Sequence, residues 1–164
     1  MNTQPASHDR ENLSLAQRLG ELAVIAALIA LAGFFGLHQS ARTGFFTAGF
    51  GPLAALCLYG PIVIALAPPA LRALTGRRGP ARLPEAAANL SLALGTLYLL
   101  IAFPLDFTRL GDVLPTSLRF LLAWLTDGLG RVVMIFQVTL MFISAAANTW
   151  THFSPPRRPA ANLS

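Results

Sequence analysis

The chain has 164 residues, of which 54% are apolar and only 12% are charged, whereas a soluble domain ordinarily carries about 25% charged residues. Its formal charge is +5, and every basic side chain is arginine because the sequence contains no lysine. These arginines are dispersed among long apolar runs and form no single basic face, which argues against nucleic-acid binding. The composition therefore excludes an ordinary soluble domain and predicts a membrane protein.

Four apolar runs are long enough to cross a bilayer core, which takes about 20 helical residues. They cover residues 19–37, 45–67, 86–103 and 130–150. The sequence therefore predicts an all-α integral membrane bundle of four transmembrane helices. It assigns residues 1–18 to a cytoplasmic N-terminal tail, residues 19–150 to the transmembrane domain and residues 151–164 to a basic cytoplasmic tail.

The first run has two interpretations. As a spanning helix, its nineteen residues would be roughly 28 Å long, close to the thickness of a bilayer core. A signal peptide is the alternative, because Ala30-Leu31-Ala32 before Gly33 resembles a cleavage site. Acidic residues precede the run and apolar residues continue past the triplet, so the spanning helix is favoured.

The second run, residues 45–67, contains Pro52 and Pro61 and is followed by Pro68-Pro69. Proline removes a backbone donor and crowds the preceding turn, so Pro52 and Pro61 are each predicted to kink the helix, and the double proline is predicted to end it. The structural interpretation is a kink that improves packing, and it is favoured. The functional alternative is a discontinuous helix that lines a path for an ion or solute.

A basic loop, residues 72–82, separates the second run from the third. Its arginines are Arg72, Arg77, Arg78 and Arg82. Basic residues beside spans resist translocation, so the loop is predicted to be cytoplasmic, with eight arginines inside and four outside. Both termini are then cytoplasmic, and the Ala-, Leu- and Arg-rich composition points to a bacterial inner membrane. The four loop arginines are also predicted to bind anionic lipid headgroups.

Before the fourth run, leucines recur at helical spacing, which predicts an amphipathic interfacial helix at residues 117–126. Gly128 and Gly130 weaken the helix after it and are predicted to bend the chain there. If so, the apolar face lies on the membrane surface and offers the favoured docking site for a partner. The predicted docking residues are Leu118, Leu121, Trp124 and Leu125.

Strongly polar residues are sparse within the runs. The predicted intramembrane polar residues are Glu21, Asn89, Gln137 and Asn148. Three of them fall near the cytoplasmic boundary, whereas Gln137 lies deep and is expected to face another helix. Hydrogen bonding between helices is their favoured role, and a functional polar ring is the alternative.

Chemistry-bearing patterns are missing from the sequence. His38 and His152 fall at opposite ends of the predicted bundle and cannot share a haem, and the single Cys57 excludes an intrachain disulfide. Residues 127–131 match only the start of the phosphatidyltransferase motif of CDP-alcohol enzymes, and the next fourteen residues contain none of the further aspartates that motif needs. The sequence therefore predicts no cofactor, no metal site and no enzymatic activity.

The favoured function is a non-catalytic accessory, assembly or scaffold subunit that packs against a larger membrane complex. The alternative is an oligomeric channel or transporter for an ion or small solute, with the proline-containing second helix at its lining. The expected partners are the bilayer, its anionic headgroups, and either a different membrane protein or further copies of the chain.

Overall fold

Five α-helices build the described part of the chain. The computed structural model describes residues 12–153, with side chains described as far as Trp150, and 77% of the described residues are helical. Residues 1–11 and 154–164, which include Arg10, Arg157 and Arg158 of the predicted tails, lie outside the described residues. The prediction of an all-α protein with four helical segments of membrane-spanning length and apolarity is confirmed.

The helices follow one another as α1 (Leu15–Ala41), α2 (Pro52–Ala65), α3 (Ala67–Thr75), α4 (Arg82–Ala102) and α5 (Asp127–Phe153). Short 3-10 helices occupy Gly79–Ala81, Phe107–Arg109 and Thr116–Leu121. Together α2 and α3 make one membrane-length segment, and α1, α4 and α5 make the other three. We call the end of the bundle that contains the α3–α4 loop the basic end, and the end that contains the α1–α2 and α4–α5 connections the aromatic end.

Helix α1 begins four residues before the predicted span, at a capping box. The Ser14 hydroxyl accepts from the Gln17 amide at 3.3 Å, and the Gln17 side chain accepts from the Ser14 amide at 3.0 Å. Each bond satisfies an amide that has no partner within the helix. Residues 15–18, predicted as tail, are therefore helical. Helix α4 ends at Ala102, directly before left-handed Phe103 and Pro104.

The prolines of the second span act differently from the prediction. Pro52 is the first residue of α2, so the predicted kink there is wrong: a proline at this position loses no helical hydrogen bond. Pro61 does lie inside α2. Pro68-Pro69 open α3 and do not end the helical segment, because the chain restarts a new helix after Leu66. The segment consequently runs on to Thr75 and carries Arg72 within it.

The stretch before α5 also departs from the prediction. A 3-10 helix ends at Leu121 and is followed by turns, so the expected α-helix at 117–126 does not form. The break lies before Asp127, and both Gly128 and Gly130 are inside α5. A Cβ at Gly130 would lie within 2.6 Å of three carbons of the Phe107 ring, so this glycine permits close packing and does not create the bend.

Helix α4 is the centre of the packing. It lies between α2 and α5 and contacts both along its length. Gly95 brings α4 against the carbonyl of Cys57 on α2, the carbonyl that Pro61 leaves without its helical donor. One cluster of buried apolar side chains lies toward the aromatic end and consists of Phe45, Ala54, Leu99, Leu105 and Met134.

Helix α1 contacts this cluster near its aromatic end, where Phe35 and His38 pack against Phe45. None of the residues in its most apolar 18-residue window is buried, and His38 is its one buried residue. Among the described residues, no Cα atom of α1 lies within 8 Å of a Cα atom of α4 or α5. A seam therefore runs between α1 on one side and α4 and α5 on the other.

Candidate functional site: the seam beside the first helix

Arg72 on α3 holds the basic end of the seam together. Its Nε donates to Glu21 Oε1 of α1 at 2.8 Å, and its Nη1 donates to Glu85 Oε2 of α4 at 2.9 Å. The Arg72 and Glu21 side chains are 19% and 16% exposed, and that of Glu85 is 39% exposed. One guanidinium thus links three helices, because its donors form a fixed fork that two carboxylates can share.

Arg18 makes a second tie between α1 and α3. Its Nε and Nη2 donate to the carbonyls of Ala73 and Leu74, each at 3.1 Å. These carbonyls belong to the last turn of α3, where no further helical amide is available. The chain then turns at left-handed Gly76, whose carbonyl accepts from the Leu13 amide at 2.7 Å. The N-terminal end of α1 is therefore fixed to the α3–α4 loop.

An open cleft of about 690 Å³ lies beside these ties. Helix α1 contributes Gln17 and Val24 to its wall, the α3–α4 loop contributes Arg78, α4 contributes its first residue, Arg82, and α5 contributes Asn148. The ion pairs within 4.0 Å among the described side chains involve only Arg72 and Arg109 as cations. Arg78 and Arg82 therefore bring positive charge to the cleft with no acidic partner among those residues.

The four arginines predicted to bind lipid are thus separated by the fold. Arg72 is committed to Glu21 and Glu85, whereas Arg78 and Arg82 line the cleft. Arg77 is exposed and is not part of the cleft wall. The sequence prediction grouped all four because they are close along the chain, and it did not identify the carboxylates that face Arg72 from other helices.

His38 holds the aromatic end of α1. Its imidazole is 1% exposed and lies 2.6 Å through Nδ1 from the Thr43 hydroxyl and 3.1 Å through Nε2 from the Leu110 carbonyl. A carbonyl can only accept, so Nε2 carries a proton and donates to Leu110, which leaves Nδ1 of the neutral ring to accept from Thr43. The rings of Phe34 and Phe45 pack against it at centroid distances of 4.9 and 4.8 Å.

Between the two ends, a partly open apolar cavity of about 300 Å³ lies along the seam. Its polar feature is Gln137 on α5, whose Nε2 donates to the Thr96 hydroxyl on α4 at 3.2 Å. Gln137 therefore faces another helix, the position that the sequence favours. Leu31 and Phe34 line the cavity from α1, and Leu92 lines it from α4.

The other predicted site residues lie away from the seam or at its edge. Glu21 and Asn148 meet at the cleft, whereas Asn89 is half-buried on α4 outside the cleft wall. Leu118, Leu121 and Trp124 are exposed by 43%, 50% and 65%, and Leu125 is half-buried. The Trp124 indole donates to the Leu121 carbonyl at 2.6 Å, so its nitrogen is already satisfied.

Compared with family models, curated proteins and solved structures, the chain shows no significant match. Within the described part of the chain, no three His, Cys, Asp or Glu side chains come together as they would around a metal ion. The seam, the cleft at its basic end, and the exposed faces of α1 and of residues 118–124 are the surfaces on which the proposals below are based.

Proposed function

We propose that the chain is a small non-catalytic accessory or scaffold subunit of a membrane complex. In this proposal it spans a bacterial inner membrane four times, with both termini in the cytoplasm. The observation that carries the proposal is the exposure of α1, whose most apolar 18-residue window contains no fully buried residue. A helix that contributes so little to its own core has most of its surface left for lipid or a partner.

The contrast between paired charges and exposed small residues also supports this proposal. Arg72 forms ion pairs with both Glu21 and Glu85 and so links three helices. Small side chains on α1, by contrast, are exposed, and nothing lies within 4 Å of a Cβ placed at Gly33. Small residues allow helices to approach closely in lipid, where the acyl chains already satisfy apolar surface. The face of α1 that carries Ala26, Ala30 and Gly33 therefore suits contact with a partner helix.

Purification in a mild detergent, with mass spectrometry of the proteins that travel with it, tests the proposal. We expect a partner of different sequence at fixed stoichiometry, and we expect Ala26→Leu with Ala30→Leu to release it, because the larger side chains prevent close approach. Ala146→Leu with Ala147→Leu is the matched control, since these alanines are exposed on α5. Purification of the wild-type chain with no other protein, even after cross-linking in the membrane, would contradict the proposal.

A second candidate function is an oligomeric conduit for an ion or small solute. The observation that favours it is the division of the second span into α2 and α3 around Leu66, because broken helices line solute paths in transporters. A conduit should purify as a homo-oligomer and pass solute into liposomes. An accessory subunit reconstituted alone should leave liposomes sealed, so flux and stoichiometry together separate the two candidates.

A further inference from the structure

The cleft and the apolar cavity follow one another along the seam, and both are lined by α1, α4 and α5. On α1, Val24 lines the cleft and Leu31 lines the cavity. On α4, Glu85 lines the cleft and Leu92 lines the cavity. Each pair is seven residues apart, which is about two turns and roughly 10 Å along the same helix face. The polar cleft at the basic end therefore lies about two helical turns from the apolar space beside Thr96 and Gln137.

The arginines that line the cleft favour an anionic ligand. Arg72 is bonded to two carboxylates, so its charge is already compensated. Arg78 and Arg82 have no acidic side chain within 4.0 Å among the described residues, and both line the cleft. An arginine fork is well suited to phosphate oxygens. Below these arginines the wall is apolar, which suits an anion attached to a hydrocarbon chain.

The hydrogen bonds that hold both ends of α1 exclude a helix from the cavity. A helix is about 10 Å across, whereas the cavity holds about 300 Å³. A helix could enter only if α1 moved away, which would break the Arg72 bonds at one end and the His38 bonds at the other. A flexible acyl chain needs no such movement.

We propose that the seam binds one anionic phospholipid, with its phosphate at Arg78 and Arg82 and an acyl chain in the cavity between α1, α4 and α5. The bound lipid fills the space that α1 leaves open and completes the bundle. This inference is independent of the proposed function, because the lipid would occupy the seam in a subunit and in a conduit alike.

Native mass spectrometry of the full chain tests the headgroup site. Protein in detergent is titrated with phosphatidylglycerol or with phosphatidylcholine of the same acyl chains. We expect one phosphatidylglycerol to bind at least about tenfold more tightly, and Arg78→Gln with Arg82→Gln to remove that preference. Arg77→Gln is the matched control, because Arg77 belongs to the same loop but does not line the cleft. Equal binding of the two lipids by wild type, or equal loss in the control, would overturn the proposal.

The apolar half of the site needs its own variant. Leu92→Trp places a larger side chain in the cavity and should weaken phosphatidylglycerol several-fold while the headgroup arginines remain. Thermal unfolding of this variant without added lipid shows whether it is folded. If it is not folded, Leu92→Phe places a smaller aromatic side chain in the cavity instead. Inorganic phosphate and glycerol phosphate distinguish a lipid from a free anion. Competition by either at lipid-like concentrations, or unchanged lipid binding by both cavity variants, would refute the acyl chain in the seam.

Discussion

Gly95 illustrates how much of the packing depends on a single missing side chain. A Cβ at this position would lie 2.8 Å from Pro61 Cγ and closer still to the Cys57 carbonyl oxygen. We therefore expect Gly95→Ala to separate α4 from α2 and to lower the free energy of unfolding by about 1–3 kcal/mol, the usual cost of overpacking. Denaturant titration in detergent micelles measures this change in the free energy of unfolding. Gly33→Ala, which meets nothing within 4 Å, should be neutral, and an equal loss in both variants would contradict this packing role.

Replacing Arg72 should also lower the free energy of unfolding. Arg72→Gln leaves the carboxylates of Glu21 and Glu85 without their shared cation, and uncompensated charge in a partly buried position destabilises the fold. We expect Glu21→Gln in the Arg72→Gln background to recover more stability than Glu85→Gln, because Glu85 is 39% exposed and better screened by solvent. A double-mutant cycle on the unfolding free energy measures both couplings. Equal recovery by the two glutamines would show that burial does not decide the strength of these pairs.

At the scale of the helix, α1 is held only near its ends, and the two attachments should respond independently. His38→Ala removes both ring hydrogen bonds at the aromatic end but leaves the Arg72 and Arg18 bonds at the other. We expect a spin label at exposed Ser40 to become more mobile, while a label at exposed Ala16 stays unchanged. Equal mobility changes at both positions would mean that α1 moves as a rigid body. His38→Asn, which keeps a donor, should show a smaller effect at Ser40.

The helices also show which parts of the fold follow from local sequence. Apolar runs of bilayer length predict the four membrane-length segments, since length and apolarity act over one stretch of chain. Proline is ambiguous, because the same residue interrupts a helix interior and suits a first turn. Pro52 and Pro68 occupy first turns, and nothing nearby in the sequence distinguishes this from a kink. The leucine spacing at 118–125 likewise fits a helix that the chain does not form beyond Leu121.

The candidate site was less predictable than the helices, because it depends on contacts between segments distant in the chain. Glu21 and Arg72 are separated by 51 positions, and His38 meets Leu110 across 72 positions. The sequence indicates that Glu21 is an unusual polar residue in an apolar run, but not which cation compensates it. His38 could be excluded as a haem ligand, yet its burial between aromatic rings follows only from the folded arrangement.

At the scale of the whole molecule, the direction of insertion depends on how arginines divide between the two ends. Among the described residues, the basic end holds Arg18, Arg72, Arg77, Arg78 and Arg82, and the aromatic end holds Arg42, Arg109, Arg119 and Arg131. This division is nearly even. Arg10, Arg157 and Arg158 lie outside the described residues, and they raise the predicted ratio to eight against four. The tails therefore contribute much of the asymmetry on which the predicted topology rests.

Single-cysteine labelling in a Cys57→Ala background tests this topology. In sealed cells a membrane-impermeant reagent should reach cysteines at Ser40 and Thr108, which are exposed at the aromatic end, and should fail to reach one at exposed Pro80 of the basic end. Permeabilised cells provide the control, because the Pro80 position must then react. Strong labelling of Pro80 in sealed cells would reverse the orientation, and it would place Arg78 and Arg82 at the opposite leaflet. Their anionic partner would then have to be abundant on the outer side of the membrane.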